Sequence, residues 1–256
     1  MAERDSRPKI LIVVHQAHST PGRIGCYLGA MGASLDIRRP SLGEPLPETL
    51  ADHDGVVVFG GPMGANDDCE WIGREIAWLE TPLRENKPLL GICLGAQMLA
   101  KTLGARVFSY PDRRGEIGYF PIRPDAGADA LCDAPFPRQV YQWHCDGFEL
   151  PDGATLIASG AEHFPAQAYR YGDKAVALQF HPEVTYHMMC RWTLRGAERL
   201  NLPGAQPRQD HLDGWFQFDP AIAAWARAFL PAWLGGRLPR VSAPLPQKAP
   251  AELAFA

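Results

Sequence analysis

The chain has 256 residues, 46% of them hydrophobic and 21% charged, with a formal net charge of −4. This is the composition of an ordinary globular protein, and the length suits one domain of ~200 residues plus an extension. No basic run is present to neutralise phosphates, which argues against nucleic acid as a partner. The charged opening (residues 1–9) lacks the apolar centre of a signal peptide. No apolar stretch approaches the ~20 residues of a membrane helix, so a cytoplasmic protein is expected. The six cysteines are scattered without a C-x-x-C pair and read as free thiols; the spacing supports no metal site, and no cofactor is expected.

In chain order, Ile10–Val14 predicts a strand buried on both faces, followed by a helix over Gly22–Met31 (Ile24, Leu28 and Met31 on one face) and an extended Ser34–Arg38. Val56–Phe59 predicts a second buried strand, running into Gly60-Gly61-Pro62. A helix carrying Trp71, Ile76, Trp78 and Leu79 should end near Thr81-Pro82. Leu89–Cys93 predicts a third strand, and a helix with Leu94, Met98, Leu99 and Leu103 follows it and stops at Gly104. From Val107 to Arg170 short extended pieces alternate with Gly, Pro and Asp. Gly115–Ile122, Gln139–Trp143, Thr155–Ser159 and Ala166–Tyr171 are read as strands of a mainly antiparallel layer. Ala175–Phe180 is a last buried strand before a helix over Val184–Leu200.

Strands alternating with helices predict a doubly wound, mostly parallel α/β sheet flanked by helices, of flavodoxin-like type, with a smaller antiparallel layer beside it. Residues 1–200 are read as this domain and residues 201–256, with eight prolines, as a C-terminal extension. Within the extension Ala221–Leu230 is helical in pattern, with Ile222, Trp225 and Phe229 on a face expected to pack on the domain. The Pro/Ala-rich tail after Leu234 is expected to be poorly ordered.

Three motifs fall at the ends of predicted strands. Gly91-Ile92-Cys93-Leu94-Gly95-Ala96-Gln97 has the G-x-C-x-G form of a nucleophile elbow with cysteine in the serine position, in the strand–turn–helix context the motif needs. Its glycines are expected to permit the sharp turn with no Cβ clash, leaving Cys93 strained and exposed at the strand end, and the following helix aims N–H groups and a positive dipole end at the sulfur. His181-Pro182-Glu183 closes the last buried strand and can set an imidazole beside the thiol with a carboxylate behind it. His15, His18, His53, His163, His187 and His211 lack that combination of strand end and nearby carboxylate. His144, in Trp143-His144-Cys145-Asp146, is the rival base. Gly60-Gly61-Pro62 can bring backbone N–H groups against a substrate, as an oxyanion hole requires. It has neither the Lys-Ser/Thr of a P-loop nor the glycine spacing of a dinucleotide site.

These residues resemble the class I (triad-type) glutamine amidotransferases over roughly residues 8–200, and in particular stand-alone members similar to the amidotransferase part of GMP synthase. Gly115-Glu116-Ile117-Gly118-Tyr119 and Trp143-His144-Cys145-Asp146-Gly147-Phe148 fit the family's order as well. The resemblance implies a catalytic triad of Cys93, His181 and Glu183, and an oxyanion hole from the N–H groups of Gly61 and Leu94. It further implies a glutamine pocket involving Gly60, Gln97, Trp143 and His144. Cys145 stands where that pattern usually has a small residue. The synthetase part of GMP synthase, with its own Ser-Gly-Gly-rich phosphate loop, has no counterpart in these residues. The implied substrate is glutamine, with ammonia passed to a possible separate synthetase subunit. Two rivals stand beside it: a γ-glutamyl peptidase using the same triad on γ-glutamyl compounds, and a non-catalytic regulatory or binding module.

Overall fold

The computed structural model describes residues 7–161 and 163–238. Its central sheet begins with β1 (Lys9–Val13), which lies between β2 (Ser34–Arg38) and β3 (Gly55–Val58). Next come β4 (Leu89–Ile92) and β12 (Ala175–Leu178), all parallel. β11 (Ala166–Tyr171), β10 (Thr155–Ser159) and the short β7 (Arg123–Pro124) continue the sheet antiparallel, to eight strands. Two-stranded antiparallel ribbons form from β5 (Val107–Ser109) with β9 (Asp146–Phe148), and from β6 (Glu116–Pro121) with β8 (Gln139–His144).

Because successive strand residues face opposite sides, each buried strand feeds two cores. Ile10, Ile12, Val57, Leu90, Ile92, Val176 and Leu178 face α1 (Gly22–Ala30) and α6 (Arg208–Trp233), which contribute Ile24, Leu28, Trp225 and Phe229. Leu11, Val13, Val56, Val58, Leu89 and Ala177 face the other way, onto Ile72 of α2 (Glu70–Trp78) and Leu94, Met98 and Leu99 of α4 (Leu94–Thr102). Helices on both faces are what runs of apolar strand residues require.

Several predicted elements are redrawn. Thr155–Ser159 and Ala166–Tyr171 join the central sheet instead of a separate layer, while Gly115–Ile122 and Gln139–Trp143 do pair as their own ribbon. The helix expected to stop near Thr81-Pro82 gives way to a second short one, α3 (Glu80–Arg84), with Pro82 inside its first turn, where no N–H needs an intrahelical partner. The helix after the His-Pro-Glu turn is shorter than expected: α5 (Tyr186–Arg195), capped by Thr185, then a 3₁₀ segment over Ala197–Asn201. In the extension the helix is longer than Ala221–Leu230, reaching from Arg208 to Trp233 through Pro220 and Pro231. Residues 239–256, most of the Pro/Ala-rich tail, lie outside the described residues.

Candidate active site

β3, β4 and β12 are neighbours and parallel, in register at Val58, Gly91 and Ala177, so their carboxyl ends deliver Gly60, Cys93 and His181 to one place. Open α/β sheets bind ligands at this edge. The closeness is tight: a methyl group on Gly60 would stand 3.0 Å from Cε1 of His181 and 3.3 Å from Cβ of Cys93.

Cys93 sits in a conformation that L-residues rarely adopt, φ 51° and ψ −106°, between the end of β4 and the first residue of α4. The strain falls on the cysteine itself, as expected, since neither flanking glycine is at positive φ; the expected exposure is corrected, because Cys93 is buried where the turn folds α4 back onto the sheet. What the glycines supply is absence of bulk. A Cβ on Gly91 would stand 2.7 Å from the Gly95 carbonyl oxygen, and one on Gly95 would stand 2.2 Å from that of Val58. The elbow therefore folds α4 directly back onto β4 and β3. The N–H of Cys93 is tied to Leu178 O at 2.8 Å, which leaves the sulfur at the mouth of the helix.

His181 and Glu183 are both buried, with Nδ1 2.8 Å from a Glu183 carboxylate oxygen. The other ring nitrogen, Nε2, has no hydrogen-bond partner among the described residues, and Cys93 is close enough to act on the charge of the ring. Burial alone would lower the imidazole pKa. The charges of Glu183 and Cys93 outweigh burial and lift it from 6.5 to about 10. Trp192 of α5 packs edge-on against the ring, with centroids 5.1 Å apart. His144 is engaged at both nitrogens, with Glu116 Oε2 at 3.1 Å and the Asp146 carbonyl at 2.9 Å, and so offers no free nitrogen to Cys93. Gln167 donates to the same Glu116 oxygen at 2.7 Å, which fixes this buried cluster beneath the site.

Among the described residues, neither the Gly61 nor the Leu94 N–H has a backbone acceptor. The Gly60 carbonyl is held from behind by His15 Nδ1 at 3.1 Å, and His15 Nε2 meets Glu75 at 2.9 Å. His15 thus does lie just past a strand end beside a carboxylate. That carboxylate is 60 residues away in sequence, so local spacing cannot reveal it.

Two cavities meet at Cys93, Gly61, Pro62, Trp143 and Arg199. One, of about 340 Å³, is lined by Gln97 and His144 together with Asp67, Arg113, Asp146 and Arg199. Gln97 donates to the Asp146 carbonyl at 2.9 Å, which steadies one wall. The other, of about 350 Å³, contains Gly60 and His181 and extends over His18, Trp192, Arg191 and Arg195. Every predicted site residue is therefore gathered at these two cavities or, for Leu94, beside them. Asp67, Arg113, Asp146, Arg191, Arg195 and Arg199 are additions; the sequence-level signals are the place of Asp146 in the motif that carries His144 and the four-residue spacing of the last three arginines.

Comparison with known proteins places the chain in a family. The family model "Glutamine amidotransferase class-I" matches residues 22–190. The glutamine amidotransferase-like protein YfeJ of Salmonella typhimurium is 31% identical over 185 residues, covering 69% of this chain and 76% of that one. A GMP synthase of Aeropyrum pernix is 30% identical over 226 residues; the match covers 80% of this chain but only 40% of the synthase. Among solved structures, a glutamine amidotransferase from Methylobacillus flagellatus superposes with a TM-score of 0.82 at 28% identity, over 93% of this chain and 97% of that one. No helix among the described residues is long and apolar enough to cross a membrane. The chain belongs to the class-I glutamine amidotransferase family.

Proposed function

We propose that the chain hydrolyses the side-chain amide of glutamine through a cysteinyl thioester. The observation that carries this reading is the buried chain of contacts Cys93–His181–Glu183 beside two unengaged N–H groups. The thiolate of Cys93 attacks the γ-carbonyl carbon while the N–H groups of Gly61 and Leu94 receive the developing oxyanion. His181, holding the proton taken from the thiol, passes it to the amide nitrogen as the C–N bond breaks and ammonia leaves. The same imidazole then accepts a proton from water. The resulting hydroxide attacks the thioester, the C–S bond breaks, and glutamate and thiolate are released. Glu183 keeps the ring in the productive orientation and stabilises its cationic form.

The cavity with Gln97 and His144 suits the amino-acid head of the substrate, because Arg113 and Arg199 can meet a carboxylate while Asp146 and Asp67 can meet an ammonium. The GMP synthase relative supports a use for the ammonia in a synthetase, and a relative described as a GMP synthase subunit supports a separate synthetase subunit as the acceptor. A second reading has its own observation. The cavity on the His181 side has room for more than ammonia and carries Arg191 and Arg195, which suits a γ-glutamyl compound whose leaving amine bears a negative charge. The test is kcat/KM of the purified chain for glutamine against a panel of neutral and carboxylate-bearing γ-glutamyl amides. Turnover of glutamine that disappears in Cys93→Ala supports the first reading. Ordinary turnover of the anionic conjugates, ~10 s⁻¹, with little of glutamine selects the second, and turnover that survives Cys93→Ala rejects both.

A further inference from the structure

We propose that His15, anchored by Glu75, is a positioning residue that locks the Gly60–Gly61 peptide with its N–H turned toward the reacting carbonyl. The inference rests on the triad reading above and assigns what sets its oxyanion hole. His15 and Glu75 have fully buried side chains, and both ring nitrogens face acceptors: a carboxylate oxygen at 2.9 Å and the Gly60 carbonyl at 3.1 Å. Neither acceptor has a proton to give while Glu75 is ionised, so the geometry calls for an imidazolium donating at both ends. Burial opposes that charge, but Glu75 overcomes it and the pKa of His15 is raised.

His15 lines neither cavity, so it acts on substrate only through what it holds. The chain contains no cis peptide bond among the described residues, and in a trans peptide the C=O and N–H point in opposite directions. A carbonyl of Gly60 fixed toward His15 therefore turns the N–H of Gly61 away from His15. Gly61 itself lies against the same side chain, since a Cβ placed there would stand 3.0 Å from Cβ of His15. The support is itself braced: Ser41 Oγ donates to the His15 carbonyl at 2.8 Å, and Trp71 packs on the ring at 5.6 Å between centroids.

A lock is needed because a Gly-Gly peptide has little intrinsic preference between its two orientations. Flipped, it would aim a carbonyl oxygen at the oxyanion in place of a donor. A hydrogen bond from a charged donor biases such an equilibrium by roughly 10- to 100-fold.

The test uses the full chain and steady-state glutamine hydrolysis. Removing His15 alone would strand a buried carboxylate, so each variant also carries Glu75→Gln. In His15→Asn with Glu75→Gln, the asparagine amide nitrogen takes the place of Nδ1 and keeps the bond to Gly60 O. In His15→Gln with Glu75→Gln, the amide takes the place of Nε2 and that bond is lost. The glutamine pair should lose roughly 10- to 100-fold in kcat with KM and the rate of Cys93 alkylation by iodoacetamide little changed. The asparagine pair should retain wild-type kcat within a factor of about three. Equal loss in the two pairs, no loss in either, or a loss confined to KM overturns the assignment. Whether or not the variants fold, the wild-type protein alkylated at Cys93 by a diazoketone analogue of glutamine gives a second reading by crystallography. The ketone oxygen should lie within hydrogen-bond distance of Gly61 N with the His15–Gly60 contact intact, and a flipped Gly60 carbonyl overturns the proposal. Wild-type glutamine hydrolysis that is absent, or that survives Cys93→Ala, would instead count against the triad.

Discussion

Glu183→Gln separates the charge of the orienting carboxylate from its shape. The His181 imidazole stands at about 10 against an ordinary 6.5, after meeting the cost of burial. At 1.36 kcal/mol per pH unit, the site favours the imidazolium by on the order of 5 kcal/mol. After the opposing cost of burial, the charge of Glu183 is the largest single influence favouring the cation, with that of Cys93 next. A glutamine amide can still accept from Nδ1 but has no charge, so roughly half the preference, about 2 kcal/mol, should go. Protonation of the departing ammonia needs the cation. The alkaline limb of kcat, read at saturating glutamine so that the substrate's own ammonium does not set it, should therefore move down from near 10 to a midpoint of about 8 to 8.5, with the plateau reduced as well. The same raised pKa acts on stability. The contribution of His181 is fully present below 6.5 and is lost as pH rises through about 10, and Glu183→Gln should flatten that decline. Rate profiles from pH 6 to 10.5 with parallel thermal melts make the measurement. An alkaline limb that stays near 10 in Glu183→Gln would refute the idea that this carboxylate holds the charge on the base.

An electrophilic glutamine analogue should label Cys93 and leave Cys145 unmodified by peptide mapping, because burial pushes the Cys145 thiol above its ordinary value. Gly60→Ala should lower kcat by at least about tenfold with little change in melting temperature. Its methyl group would press on His181 and Cys93, both side chains, and not on backbone. Gly95→Ala should instead cost stability, by several degrees or failure to fold, since its methyl group meets the Val58 carbonyl. Phe229→Ala should destabilise the chain by about 3–5 kcal/mol in urea titrations, because the ring is fully buried and stacked 4.8 Å from Trp225.

What could be read from the sequence was what short spacing encodes. Gly91 to Gln97 and His181-Pro182-Glu183 each lie within a few residues of a strand end, and apolar strand runs bring their ends together once the sheet is parallel. Partners chosen by the fold were hidden. Glu75 meets His15 only because α2 packs across the end of β1, and Arg113 reaches the first cavity from the loop after β5. Thr155–Ser159 and Ala166–Tyr171 were legible as strands, but their place in the central sheet depends on Ala166–Tyr171 pairing with Ala175–Leu178 and Thr155–Ser159 pairing in turn with Ala166–Tyr171, which no local pattern states. α6 was masked by its own prolines. Pro220 costs an interior helix bond, and burial of Trp225, Phe229 and Trp233 against the sheet outweighs that loss.

Arg23 opens α1 with its N–H on the Glu183 carbonyl at 2.8 Å, while its guanidinium reaches the Pro182 carbonyl and grips Asp219 of α6 at 2.6 and 2.7 Å. The turn that carries the base and its carboxylate is thus buttressed from residue 219, well past residue 190 where the family match stops. The family-matching segment is consequently not a transplantable module. Grafted alone onto a synthetase, it would retain all three triad side chains yet leave the arginine beneath their turn with no counter-ion. Any fusion or minimised version of this chain has to carry α6 with it.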